Sequence, residues 1–144
     1  QLYPGLRSMY QEMRLRAKQG KPIRTWGGRE YYCEEPKVVN GRIQEFDYKL
    51  VNVLIQGSAA DCTKEALIRF DDRRDSAWKP LLTVHDETGA SAPRKQLKPA
   101  MACLREAMES VAFDVPMLSE GKFSFTNWHQ LSDYDKGGKV VYKK

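Results

Sequence analysis

With 144 residues, 41% hydrophobic and 30% charged, the chain can form one compact unit around its own apolar core but is too short for a multidomain enzyme. A net charge of +5 suits a polyanionic partner without requiring one. No apolar run approaches the roughly 20 residues of a membrane span, the charged, amphipathic first residues are not expected to act as a signal peptide, and Cys33, Cys62 and Cys103 are spaced for neither zinc nor a disulfide framework, which leaves free thiols in a reducing cytosol as the expectation.

The chain opens with an amphipathic pattern over 6–19, with Leu6, Met9, Tyr10, Met13 and Ala17 at helical spacing, Pro4 near its start and Gly20 and Pro22 as its stop. Residues 23–33 hold Gly27-Gly28 between β-branched and aromatic residues, a hairpin signal. Residues 34–42 read as a loop with Asn40-Gly41 as turn residues. A long helix is expected over 43–74, with Phe46, Leu50, Val53, Leu54, Gly57 and Ala60 as one stripe. Strand, tight turn and strand follow over 80–92, then a helix over 94–112 whose core face is Leu97, Met101, Leu104, Met108 and Val111. Residues 115–125 read as strand and loop, and 133–144 as an irregular basic end. This order predicts an α+β fold in which antiparallel hairpins pack against long helices.

Charge is distributed unevenly. Within residues 1–29, Arg7, Arg14, Arg16, Lys18, Lys21, Arg24 and Arg29 stand against Glu12 alone, and Lys136, Lys139, Lys143 and Lys144 make the C-terminal end basic. Basic ends around an acidic centre suit a protein that holds a phosphate backbone around a metal site, although a solvated basic face accounts for the same charges.

Three features could carry chemistry. Val84-His85-Asp86-Glu87 places polar groups directly after an apolar strand, at a turn where water solvates carboxylates at little cost. Holding two carboxylates together costs repulsion, which a divalent cation relieves, and hard oxygen ligands favour Mg²⁺ over zinc. A plain polar hairpin turn is the alternative. Asn52 and Gln56, four apart on the long helix, share one face. Their amides can donate to minor-groove acceptors that lie in similar places in every base pair; two surface amides or a helix–helix hydrogen bond is the alternative. The small residues of Gly57-Ser58-Ala59-Ala60 let another backbone approach; ordinary helix packing accounts for them, and seating the helix under the turn at 85–87 is the functional alternative.

In this order the features resemble the C-terminal palm region of family A (Pol I-like, especially phage-type) DNA polymerases. Tyr3-Pro4-Gly5 resembles the segment after the fingers helices, and Thr25-Trp26-Gly27-Gly28-Arg29 the T-x-x-G-R hairpin. The stretch from Asn52 through Gln56-Gly57-Ser58-Ala59-Ala60-Asp61 resembles the helix that contacts primer–template, and Val84-His85-Asp86-Glu87 resembles motif C. Asp114-Val115-Pro116 and Asn127-Trp128 resemble the end of the polymerase domain. Residues 1–132 are therefore expected as a palm segment and 133–144 as a basic tail. Tyr48, where some relatives carry Arg, and Thr83, where Gln is common, depart from the pattern without touching the metal logic.

The resemblance implies template-directed DNA synthesis by two-metal nucleotidyl transfer, in which a primer 3′-hydroxyl attacks a dNTP α-phosphate. It implies Asp86 as catalytic metal ligand, Glu87 as a catalytic group supporting the primer terminus or a metal-bound water, His85 at the primer end, Asn52 and Gln56 in the minor groove, and Arg29 on the DNA backbone. Mg²⁺ is the implied cofactor, primer–template DNA and dNTP the implied partners, and the cytoplasm of a bacterial or phage-infected cell the implied location. Motif A, with the other metal-binding aspartate, and motif B, which binds the incoming nucleotide, are not among these residues. The expectation is that a second polypeptide or another segment supplies them and that this chain alone does not polymerise. The alternative is a polymerase-derived module that binds DNA without catalysis.

Overall fold

The computed structural model describes residues 3–113 and 115–134, together with the backbone of 140–141. Asp114 and Lys136, Lys139, Lys143 and Lys144 of the basic end lie outside the described residues. The fold is α+β; the described residues form separate small antiparallel sheets and three α-helices. Contacts divide the chain into two compact units, residues 1–62 and 63–144.

The first unit begins with α1 (Pro4–Lys18), which has proline at its start and Gly20 in the left-handed region (φ 63°) just past its end. Lys21 N–H donates to the Arg16 carbonyl and Gly20 N–H to the Ala17 carbonyl, the paired bonds of a Schellman stop. A hairpin follows, β1 (Ile23–Arg24) with β2 (Glu30–Tyr31), in the expected place. Residues 34–42, expected as a loop, instead carry most of a second hairpin, β3 (Lys37–Val39) with β4 (Arg42–Gln44). Its two turn residues, Asn40 (φ 52°) and Gly41 (φ 74°), both adopt the positive φ that a type I′ turn requires, and Val38 pairs with Ile43.

Because β4 uses residues 42–44, α2 begins later than periodicity suggests and spans Tyr48–Arg73. In the first unit Met13 of α1, Ile23 of β1 and Leu50 and Val51 of α2 form the buried core. The buried line along α2 then passes through Ser58 and Asp61 before Cys62, Ala66 and Phe70, so the helix presents polar side chains to the interior as well as apolar ones.

Gly57 has a specific reason to be glycine: a Cβ there would meet the Thr25 methyl at 2.8 Å. The small residues of α2 thus receive the Thr25–Arg29 hairpin loop, the close packing that such residues allow. Thr25 is 5% exposed and cannot swing away. Gly57→Ala is therefore expected to lower stability by about 1 kcal/mol, because a gain in helix propensity of about 1 kcal/mol is outweighed by overpacking of about 1–3 kcal/mol. The urea midpoint checks this; a raised midpoint would contradict it.

In the second unit, β5 (Lys79–Val84) pairs with β6 (Glu87–Ser91), followed by a 3-10 turn at Arg94–Gln96 and α3 (Leu97–Glu109). Phe70, Trp78 and Ala107 form its core, with Ala90, Ala92, Ala100, Cys103 and Leu104 packed against them. The inward face of α3 is therefore centred on small residues, because the bulky Phe70 and Trp78 rings fill the space opposite. Val111 is buried as expected, whereas Leu97, Met101 and Met108 are only partly covered. Trp78 Nε1 donates to Gln96 Oε1 at 2.7 Å, satisfying the buried indole.

The C-terminal region, expected to be irregular beyond residue 132, contributes to a three-stranded sheet: β7 (Gly121–Phe123), β8 (Ser132–Tyr134) and β9 (Val140–Val141). Phe123 packs edge-on against Phe125 and Tyr134, which supplies the apolar contact that a short sheet needs. Among the described residues no helix is long and apolar enough to cross a membrane.

Candidate functional site

The β5–β6 hairpin explains the placement of the acidic turn. Leu82 pairs with Gly89, Thr83 with Thr88 and Val84 with Glu87, leaving His85 and Asp86 as a two-residue turn. His85 has φ 54°, a left-handed conformation that costs a non-glycine residue energy and is found disproportionately at functional sites. The side chains of His85, Asp86 and Glu87 are all exposed, so the turn presents its polar groups outward. Asp86 and Glu87 border a cavity of about 560 Å³ within the second unit, whose other walls include Arg105, Met108, Lys122 and Trp128.

The chemistry of the donor set limits what this turn does alone. Among the described residues no group of three or more His, Cys, Asp or Glu side chains converges on one point. Two adjacent carboxylates are too few to hold a pair of divalent cations, which need several oxygen ligands each. Asp71, near the Arg-rich end of α2, is paired with Arg74 at 2.5 Å. Burial pushes the thiols of Cys33, Cys62 and Cys103 up, and all three are free, so none is an activated nucleophile.

In the first unit Asn52 and Gln56 both lie exposed on α2, one turn apart. Arg29 occupies a different kind of site. Its Nε donates to Asp61 Oδ1 at 2.6 Å, one Nη to the Gly57 carbonyl at 2.9 Å and the other to the Tyr31 hydroxyl at 2.8 Å. Asp61, 8% exposed, also accepts from the Gly27 amide at 3.0 Å, while Ser58 Oγ accepts from the Trp26 amide at 3.0 Å. The Thr25–Arg29 loop is thereby clamped onto α2. Burial pushes the Asp61 carboxyl up, but hydrogen bonds from Thr25, Gly27 and Arg29, with the Arg29 charge, outweigh that and hold it below the usual carboxylate range. Sequence reasoning included Asp61 in the helix stretch without a role; its partners lie more than thirty residues away, and no periodicity reports such a pairing.

A family model for DNA polymerase family A matches residues 1–130. The chain belongs to DNA polymerase family A. It is 30% identical over 139 residues to DNA polymerase I of Chloroflexus aurantiacus, covering 94% of this chain and 15% of that protein. It is 30% identical over 133 residues to DNA polymerase I of Bacillus caldotenax, covering 88% of this chain and 15% of the relative. For DNA polymerase I of Bacillus subtilis the figures are 31% over 121 residues, 80% and 14%. This family A chain thus spans about one seventh of the length of these curated relatives. Both the Thr25–Arg29 loop and the 85–87 turn fall within the matched residues.

Proposed function

We propose that this chain forms the motif C-bearing palm segment of a family A DNA polymerase and takes part in template-directed DNA synthesis. The observation that carries the reading is a family A chain whose β5–β6 hairpin ends in an exposed turn of His85, Asp86 and Glu87. In this reading Asp86 is a ligand of a catalytic divalent cation, Mg²⁺ by the hardness of its oxygens. Glu87 and His85 serve the primer terminus. Asn52 and Gln56 donate to minor-groove acceptors, holding a duplex without reading its sequence. Residues 1–132 make up the palm segment and 133–144 a basic tail, in the cytoplasm of a bacterial or phage-infected cell.

Because Asp86 and Glu87 do not complete a metal site, motifs A and B come from a second polypeptide or a further segment, and the isolated chain does not polymerise. Primer extension with Mg²⁺ and dNTPs tests this, comparing the chain alone with the assembly or longer polypeptide that carries it in the cell. Extension by the assembly and none by the chain alone is expected. An assembly that binds primer–template but never extends it would instead favour a DNA-binding module without catalysis.

The role of the two amides has its own test. Asn52→Ala and Gln56→Ala are each expected to weaken primer–template binding about 2- to 10-fold, the value of one hydrogen bond of roughly 0.5–1.5 kcal/mol. The loss should be the same for A·T-rich and G·C-rich primer ends, since the acceptors are shared. Fluorescence anisotropy with labelled duplexes measures it. Unchanged affinity for every duplex would remove both residues from the DNA interface.

A further inference from the structure

We propose that Trp128 is a positioning residue for the Asp86–Glu87 turn, bracing β6 through its contact with Gly89; the inference rests on the reading of Asp86 as a catalytic carboxylate. A two-stranded hairpin is marginally stable in water unless it packs on something; this one packs on the core through Ala90, while Leu82 and Val84 nearer its tip are exposed and the tip carries a left-handed His85. It therefore needs support close to the turn. Gly89, two residues beyond Glu87, lacks a side chain at the point where Trp128 approaches: a Cβ there would meet indole Cζ3 at 3.1 Å. The indole, 50% exposed, consequently lays one part of its ring against bare strand backbone, on the cavity wall it shares with Asp86 and Glu87.

The segment that carries Trp128 is bonded to itself. Trp128 opens the short 3-10 helix Trp128–Gln130, capped by Asn127, whose side-chain oxygen accepts from the Gln130 amide at 3.1 Å. The Ser124 hydroxyl accepts from the amides of Thr126 (3.1 Å) and Asn127 (3.2 Å), and the Thr126 hydroxyl donates to Gln130 Oε1 at 2.6 Å. Upstream, Phe125 lies under the Arg94 guanidinium at 4.1 Å and packs on the buried Phe123. Segment 121–130 is thus a self-bonded strap fixed at its aromatic end, with the Trp128 ring applied to the strand that leads out of the carboxylate turn. A brace of this kind limits how far the Asp86 carboxylate wanders, and displacement of a reacting group by about 1 Å can cost about 10²-fold in rate.

The test uses the assembly that carries the chain, with Trp128→Ala, Trp128→Leu, Trp128→Phe and Asp86→Ala. Trp128→Ala is expected to lower kcat about 10- to 100-fold while KM for dNTP and affinity for primer–template stay within about twofold, because the brace acts on chemistry and not on uniform binding. Trp128→Phe, which keeps an aromatic face on Gly89, should recover most of the rate. Amide hydrogen exchange should quicken over 82–90 in Trp128→Ala and remain unchanged over α3. If Trp128→Ala is insoluble, Trp128→Leu carries the same expectations. The proposal is overturned if kcat stays within twofold of wild type while Asp86→Ala is inactive. It is also overturned if exchange quickens equally in α3, which would make the indole a general stabiliser. Wild-type rates in Asp86→Ala would overturn the underlying catalytic reading as well.

Discussion

In primer extension by the complete polymerase, Asp86→Ala is expected to lower kcat by about 10²–10³-fold or more, the scale on which removal of one preorganised electrostatic group slows an enzyme. The thermal midpoint should remain near wild type. Asp86 is exposed at a two-residue turn, and substitutions at such surface positions usually change stability by less than about 0.5 kcal/mol. Loss of rate without loss of fold separates a functional carboxylate from a structural one. Glu87→Ala should cost less than Asp86→Ala, because the proposal gives Glu87 a supporting role, and His85→Ala less again. An Asp86→Ala enzyme that extends primers at the wild-type rate would remove Asp86 from the active site and leave the DNA-binding module as the better reading of the chain.

The turn was legible in the sequence because its signals are local. An apolar strand, three polar residues and a second strand specify a hairpin whatever surrounds it, and the 23–33 hairpin announced itself through Gly27-Gly28 in the same way. Asn40-Gly41 carried an equally local signal, between Val38-Val39 and Ile43, and reading it as loop punctuation displaced the start of α2 by several residues. Other features depend on partners remote in sequence. The inward face of α3 is set by Phe70 and Trp78, which favour the small Ala100, Cys103 and Ala107 beside Leu104, while Leu97, Met101 and Met108 of the periodic stripe are only partly covered. The approach of Trp128 to Gly89 joins positions nearly forty residues apart. Arg29 illustrates the same limit within the candidate site: the resemblance implies a DNA contact, while the fold already engages three of its nitrogens.

That engagement gives the largest expected effect on stability. Asp61→Ala should lower the unfolding free energy by about 2–3 kcal/mol, less than the roughly 3–5 kcal/mol for breaking a fully buried ion pair because the Arg29 side chain is 40% exposed and can regain water. The Gly27 amide and the Arg29 Nε lose their acceptor together, and the Thr25–Arg29 loop loses its anchor on α2. The pH dependence carries a sign. The Asp61 carboxyl is held below the ordinary aspartate value of about 3.9 when folded, so the unfolded chain binds the proton more readily. The clamp's electrostatic contribution is therefore fully present above about pH 4 and is lost as pH falls through the lower folded value. Urea midpoints of wild type and Asp61→Asn should differ most near neutrality and converge below about pH 4. A gap that is constant across pH would mean that the geometry of the side chain, and not its charge, holds the loop on the helix. A midpoint unchanged in Asp61→Ala would mean that Ser58 and the Gly57–Thr25 contact suffice to seat the loop, and the ion pair would then be incidental to the fold.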